Sequence, residues 1–138
     1  MKGWQLVGVL MMSMMGTAQA QDAAAIKLPP PETAGGMPLM QALMTRHSAR
    51  EFAGKPLPPQ VLSNLLWAAN GVNRPDTGQR TAPSAHDWRE VDVYVTTAEG
   101  AYRYDPPTHT LNRVAAGDLR HLTGVQDFVA SVPANLVY

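Results

Sequence analysis

The chain has 138 residues, 45% of them hydrophobic and 16% charged, which suits one globular domain rather than a disordered tail. Eleven Lys and Arg residues balance eleven Asp and Glu residues, so no basic excess predicts nucleic-acid binding. The chain has no Cys, which excludes disulfide bonds and thiolate metal sites.

The first twenty residues have the composition of an export signal. Lys2 provides a positive start, residues 4–15 are almost wholly apolar, and Ala18-Gln19-Ala20 matches the small-x-small pattern of a signal peptidase site. About a dozen apolar residues are too few to cross a bilayer, which disfavours a stable membrane anchor. We therefore predict a signal peptide over 1–20, with cleavage after Ala20 and a periplasmic or secreted mature protein.

Residues 21–36 are rich in Ala, Pro and Gly and are typical of an extended, mobile linker. The domain is predicted to begin near Met37. Pro38 suits the first turn of a helix, and Leu39, Met40, Leu43 and Met44 give that helix one apolar face, which ends near His47.

Two arginines and a serine alternate where this helix is predicted to end. In an extended segment, Arg46, Ser48 and Arg50 would lie on one side of the chain. Arginine forks and a hydroxyl suit a phosphate group, so these three residues, called here the anion clamp, predict a phosphate-binding site. The alternative interpretation is an ordinary helix C-terminus, where Arg side chains lie near the last carbonyls.

A second helix is predicted from apolar residues at helical spacing between Val61 and Ala69, and Asn70-Gly71 would end it. Residues 72–87 have no regular period and predict a loop. Alternation over residues 91–95 predicts a strand, and Glu99-Gly100 predicts a turn that leads into a returning strand over residues 101–104. Residues 110–114 are predicted to form a further extended segment, and residues 117–122 a short helix.

The last residues, 134–138, have the apolar character of a buried strand. A strand in a core needs neighbouring strands and a covering layer. We therefore expect residues 37–138 to form a partial domain, the front part of a larger one.

Three separated segments together resemble the nitroreductase superfamily, with the greatest likeness to its SagB-type, or thiazole/oxazole dehydrogenase-like, branch. They are residues 46–52 (RHSAREF), residues 66–74 (LWAANGVNR) and residues 80–85 (RTAPSA). Their order and spacing match over residues 37–138.

The resemblance implies an α+β fold that binds FMN at a homodimer interface and transfers hydride or electrons to a small organic acceptor in a ping-pong cycle. By position, Arg46 and Ser48 would hold the FMN phosphate, His47 would lie along the ribityl chain, and Arg50 would approach the ribityl chain or the pyrimidine edge. From the partner subunit, Pro83, Ser84 and Ala85 would line the flavin. Such a flavin performs the hydride step itself, so no residue is assigned a catalytic acid or base role.

One departure from the family's pattern concerns charge. Where the family often has Asn and Gln after Pro-Ser, this chain has Asp87 and Arg89. An unpaired carboxylate beside a reduced flavin would be unfavourable, so we expect Arg89 to be the partner of Asp87.

No metal site is predicted, because His86, His109 and His121 lack metal-ligand spacing. Trp67 and Trp88 are interpreted as core or loop anchors rather than flavin-stacking residues.

Two classes of function remain open from the sequence. The first is a flavin-dependent oxidoreductase, which Arg46, Ser48 and Arg50 favour. The second is an exported, non-catalytic binding module that kept the fold and lost the flavin. Export favours this second class, because NAD(P)H is not expected outside the cytoplasm.

Overall fold

A computed structural model describes residues 25–138. The predicted signal peptide lies outside the described residues. Within them the chain forms two α-helices and seven strands: β1 (Ile26–Lys27), α1 (Leu39–Thr45), α2 (Pro59–Asn70), β2 (Val72–Arg74), β3 (Gln79–Arg80), β4 (Tyr94–Thr96), β5 (Gly100–Asp105), β6 (Thr110–Ala116) and β7 (Asn135–Val137). Short 3₁₀ turns cover Ala85–Asp87, Arg120–Leu122 and Asp127–Ser131. This α+β arrangement confirms the predicted fold class.

The centre of the fold is a five-stranded antiparallel sheet in the order β1-β6-β5-β4-β7. Its longest pairing is the β5–β6 hairpin, while β4 pairs with β5 through Val95 opposite Tyr102. Alternate residues of these strands point to one face, which explains why Val93, Val95, Tyr102 and Tyr104 are all buried together.

Helix α2 covers this face of the sheet. Pro58 and Pro59 suit its first turn because a proline there loses no helical hydrogen bond, and the helix ends at Asn70 as predicted. Leu66 is fully buried in the cluster with Val93, Val95 and Tyr104. The packing of α2 therefore fixes the point at which the chain leaves the helix at Gly71 and enters the β2–β3 hairpin.

The N-terminal segment differs from the predicted linker. Ile26 and Lys27 pair with Leu111 and Thr110 of β6, and Leu28 is buried in the core. The linker interpretation is therefore wrong for residues 26–29, because one strand pairing and one apolar side chain attach the segment to the domain.

A polar network joins this segment to the helix and the sheet. The hydroxyl of Ser63 donates to the carbonyl of Pro29 at 2.6 Å and lies 2.8 Å from Nε2 of His109. On the other side of the ring, the hydroxyl of Tyr104 is 2.8 Å from Nδ1. Because the Pro29 carbonyl can only accept, we assign Nε2–H as donor to Ser63 and Nδ1 as acceptor from Tyr104, which makes His109 neutral.

The segment predicted as a loop over 72–87 contains regular structure. β2 and β3 form a short antiparallel hairpin, with Val72 opposite Arg80, and a 3₁₀ turn follows at Ala85–Asp87. No alternation was visible in the sequence because only one side chain of β2, that of Val72, is partly covered.

Helix α1 is shorter than the predicted range. It covers Leu39–Thr45, and its apolar residues do not lie in the core: Leu39 is 72% exposed and Met44 is 86% exposed. Its predicted apolar face is present but is not covered by any residue of the described part of the chain.

The other predicted elements are close to the observed ones. The strand expected over 91–95 is β4 at Tyr94–Thr96, although Val93 accepts a hydrogen bond from the backbone of Tyr104. The short helix expected at 117–122 is a 3₁₀ turn at Arg120–Leu122. The last strand is β7, which pairs with β4 at the edge of the sheet, with Leu136 partly buried against the core. Within residues 25–138 no helix combines the length and hydropathy needed to cross a membrane.

The polar network predicts a pH dependence of stability. Burial lowers the pKa of His109 from its ordinary value of 6.5, and the positive charge of Lys27 adds to this, against the opposing effect of the Pro29 carbonyl. The unfolded chain therefore binds a proton more readily than the folded one, so the stabilisation is present above pH 6.5 and is lost as the pH falls through the lower pKa of the folded state.

We expect His109→Asn to lower the free energy of unfolding at pH 7.5 by about 1–3 kcal/mol, because Ser63 and Tyr104 lose their common partner. Asn tolerates the left-handed backbone at this position, where φ is 53°. Between pH 7 and pH 5, the free energy of unfolding should also fall less in the variant than in the wild-type protein. Denaturant unfolding at several pH values measures both, with exposed His121→Asn as control. An equal decline in wild type and His109→Asn would contradict the assignment.

Candidate functional site

The anion clamp begins where helix α1 ends. Arg46 is the C-cap residue and has extended backbone angles, φ −63° and ψ 125°. Residues 46–52 contain no helix or strand, and the side chains of Arg46, Ser48 and Arg50 are all exposed. Neither arginine joins an ion pair with another residue in the range 25–138. Their guanidinium donors therefore face solvent and are available to a ligand.

Neighbouring residues hold the two ends of the clamp segment. Nδ1 of His47 lies 3.1 Å from the carbonyl of Thr45, the last residue of α1. At the other end, Phe52 stacks on Phe128 with ring centroids 6.0 Å apart. The aromatic contact attaches the segment to the 3₁₀ turn at Asp127–Ser131.

A second group of predicted site residues lies beside a cavity of about 570 Å³. Pro83 and Ser84 line this cavity, whereas Ala85 begins the adjacent 3₁₀ turn and is not among the lining residues. No residue of the segment 46–50 lines the cavity. Within one chain, the two predicted groups thus do not share this cavity.

The hydroxyl of Ser84 is already occupied by two hydrogen bonds. It accepts from the backbone N–H of Arg89 at 2.7 Å and donates to Oε2 of Glu90 at 3.0 Å. The side chain of Ser84 therefore shapes the turn that follows it, and its hydroxyl proton is not free to be donated to a ligand.

Asp87 and Arg89 form the expected pair. Nε and Nη2 of Arg89 donate to the two carboxylate oxygens of Asp87 at 2.9 and 2.8 Å, a bidentate arrangement. These hydrogen bonds hold the pKa of Asp87 below its ordinary value, so this carboxyl is ionised at neutral pH.

Two further arginines, which were not predicted as site residues, line the cavity. Arg74 donates from Nη2 to the carbonyl of Arg80 at 3.1 Å, which fixes it across the β2–β3 hairpin. Nε of Arg80 is buried without a hydrogen-bond partner among the described residues. The one available signal was the position of Arg80 at the start of the segment RTAPSA, immediately before the predicted flavin-lining residues.

The hairpin that carries these arginines is fastened to the end of helix α2. Indole Nε1 of Trp67 donates to the carbonyl of Val72 at 3.1 Å, and the hydroxyl of Thr81 donates to the carbonyl of Trp67 at 3.1 Å. The backbone N–H of Thr81 also donates to the carbonyl of Gly71 at 2.9 Å. Trp67 is therefore a loop anchor, as interpreted from the sequence.

No group of three or more His, Asp or Glu side chains with the geometry of a metal site occurs within residues 25–138. Trp88 is 71% exposed and lies against His86, with ring centroids 5.4 Å apart.

The contact between Gly71 and Trp67 yields a test of this anchoring. A Cβ atom at Gly71 would lie 2.4 Å from Cδ1 of Trp67 and 2.7 Å from its Cα, so the Trp67 indole and the backbone at the helix end must shift. We expect Gly71→Ala to destabilise the protein by about 1–3 kcal/mol, as overpacking typically does. Gly54→Ala is the matched control, since nothing lies within 4 Å of a Cβ there. Denaturant unfolding measures both variants, and equal stabilities would contradict the proposed anchor.

Comparison with known proteins gives a consistent result. The sequence profile described as the Nitroreductase family matches residues 43–138. A candidate nitroreductase of Methanocaldococcus jannaschii is 32% identical over 126 residues, which cover 84% of this chain and 62% of that protein. The crystal structure of a candidate nitroreductase from Ralstonia eutropha JMP134 has 51% sequence identity and a TM-score of 0.76, covering 84% of this chain and 55% of the solved one. The chain thus spans about 55–62% of the length of these relatives, and it belongs to the nitroreductase family.

Proposed function

We propose that the protein is an FMN-dependent oxidoreductase of the nitroreductase type, which reduces a small organic acceptor in a ping-pong cycle. The observation that carries this proposal is the anion clamp, with its two exposed arginines outside any ion pair of the described part. Family membership supports the same conclusion. When bound, FMN supplies the hydride and electron chemistry that this chain's side chains do not provide.

The residues present fit a flavin mononucleotide in the nature of their donors. A phosphate dianion needs cationic and neutral donors within reach, and Arg46, Ser48 and Arg50 provide both kinds from one short segment that is neither helix nor strand. His47 would lie along the ribityl chain, held by its contact with the carbonyl of Thr45.

The cavity beside Pro83 and Ser84 fits the ring end of the cofactor. Its wall carries Arg74 and Arg80 in addition to the Asp87–Arg89 pair, so positive charge is available where a reduced flavin becomes negative. The buried Nε of Arg80 lacks an acceptor among the described residues, and a carbonyl or anionic group would satisfy it after a small movement.

We further propose that the protein is a homodimer of the SagB-type branch. The exposed apolar residues of α1 support an interface at this helix, since Leu39, Met40 and Met44 are each at least 70% exposed. The separation of the clamp from the segment 83–85 within one chain supports a site completed by a partner subunit.

Export remains part of the proposal. The residues that support it are Lys2, the apolar run over 4–15 and Ala18-Gln19-Ala20, and the mature protein would be periplasmic or secreted.

The clamp assignment predicts a loss of flavin affinity in two variants. Arg46→Ala and Arg50→Ala should each weaken FMN binding about ten- to a hundredfold, because each removes one charge-assisted contact of roughly 1.5–3 kcal/mol. Quenching of flavin fluorescence on titration of the native protein measures the affinity, with exposed Arg103→Ala as control.

Unchanged affinity in both clamp variants would contradict the phosphate assignment. A full-length wild-type protein that shows no flavin absorption, even after incubation with FMN, would instead favour the non-catalytic binding module.

The export signal predicts the N-terminus of the mature protein. We expect the chain recovered from the cell envelope or the medium to begin at Gln21, because the export machinery reads a positive start, an apolar run and a small-x-small site in this order. Intact-mass measurement decides this. Ala20→Pro, which should block cleavage, is the matched control, and a wild-type chain that retains Met1 would contradict the prediction.

A further inference from the structure

The turn after Ser84 carries an unusual concentration of left-handed backbone. His86, Asp87 and Arg89 have φ values of 51°, 56° and 55°. None of them is glycine, and left-handed backbone is strained in residues other than glycine unless the surroundings hold it. Some interaction must therefore fix this turn.

Two sets of contacts provide that restraint. The hydroxyl of Ser84 accepts a hydrogen bond from the backbone N–H of Arg89 at 2.7 Å, which closes the turn from residue 84 to residue 89. The bidentate ion pair of Asp87 and Arg89 links two residues within the same turn. The side chain of Arg89 also reaches the β2–β3 hairpin, because its Nη2 would lie 3.7 Å from a Cβ atom placed at Gly78.

The ion pair also balances charge at the cavity wall. The charged side chains that line the cavity are Arg74, Arg80, Arg89, Asp87 and Glu90. Asp87 and Arg89 cancel each other at close range, so removal of either one leaves its partner's full charge beside the cavity.

We infer that the Asp87–Arg89 ion pair has two roles at this cavity: it positions the turn 84–89, and its two members set the electrostatic potential of the proposed flavin site in opposite directions. Both are positioning residues, which act through the turn and through their field. The inference rests on the proposed function, since the cofactor is the group on which the potential acts.

The two single variants should shift the midpoint potential of the cofactor in opposite directions, which distinguishes an electrostatic role of the pair from a purely structural one. Arg89→Gln leaves the carboxylate of Asp87 unpaired, which disfavours the more negative, reduced form of the cofactor and should lower its midpoint potential. Asp87→Asn leaves Arg89 unpaired and should raise the potential. The double variant Asp87→Asn/Arg89→Gln should return close to the wild-type value, whereas loss of turn structure alone would change both single variants alike.

The experiment is a spectroelectrochemical titration of the holoprotein with FMN as the bound cofactor. The matched controls are Asp92→Asn and Arg103→Gln, which make the same charge changes in an exposed pair separated by 3.7 Å and outside the cavity lining. Arg89→Lys tests charge against geometry, because it keeps the positive charge and loses the bidentate fork. Its midpoint potential should stay near wild type, while its retention of FMN through purification should fall severalfold.

The expected result is opposite shifts in the two single variants, with no comparable shift in the controls. The inference would be overturned if Asp87→Asn and Arg89→Gln shifted the midpoint potential in the same direction. It would also be overturned if the potential of Arg89→Lys fell as far as that of Arg89→Gln. Either result would leave the proposed function intact. If the wild-type protein binds no FMN, the proposed function and this inference both fail. If Arg89→Gln does not fold, the other two variants still test the inference. It requires a raised midpoint potential in Asp87→Asn and an unchanged one in Arg89→Lys.

Discussion

The packing of helix α2 on the antiparallel sheet is the contact on which the rest of this structure depends. Leu66 is fully buried against Val93 and Val95, and burying a side chain of this size stabilises the fold by roughly 1.5–3 kcal/mol. The same contact fixes the direction in which the chain leaves the helix at Gly71. Trp67 and Thr81 then hold the hairpin against the helix end, so the cavity takes its position from the core.

The core also contains a polar path that reaches the N-terminal segment. Ser63 is fully buried in α2, yet its hydroxyl is satisfied by Pro29 and His109 together. Burial raises the pKa of Tyr104 to about 12, so its phenol keeps the proton that it donates to His109. A satisfied network of this kind is costly to disturb, because each member left alone would be a buried polar group without a partner. This explains how a segment rich in proline and alanine stays attached to the domain although only two of its residues form a strand.

The sequence allowed the regular elements to be predicted wherever apolar residues recur with a clear period. Helix α2 and strand β4 belong to this class, and the end of α2 at Asn70 followed from Asn-Gly. Strand β5 was predicted instead from the turn at Glu99-Gly100 that precedes it. The pairing of β1 could not be predicted, because two residues carry no period and the attachment depends on β6, more than eighty positions away. The same limit applies to β2 and β3, where tertiary hydrogen bonds to α2 replace a sequence pattern.

For the candidate site, residue chemistry was more informative than position. Two arginines and a serine at alternate positions indicated anion binding, and the structure leaves all three exposed on non-helical chain. The partnership of Asp87 with Arg89 also followed from charge, because two residues of opposite sign two positions apart can meet across a tight turn. The role of Ser84 could not be derived in this way, since its bonds to Arg89 and Glu90 depend on the left-handed residues between them.

The distribution of charge gives the two parts of the candidate site different physical characters. In the clamp the arginines stand without an acidic partner from the described residues, which favours a ligand that arrives with its own negative charge. At the cavity, Arg89 is neutralised by Asp87, and Glu90 lies against Ser84, which moderates the field of Arg74 and Arg80. A ligand that is strongly anionic at one end and nearly neutral at the other matches this division, and a flavin mononucleotide is such a molecule. If FMN binds as proposed, the unpaired arginines of the clamp would determine how tightly its phosphate end binds, and the Asp87–Arg89 pair would determine how easily its ring end accepts negative charge.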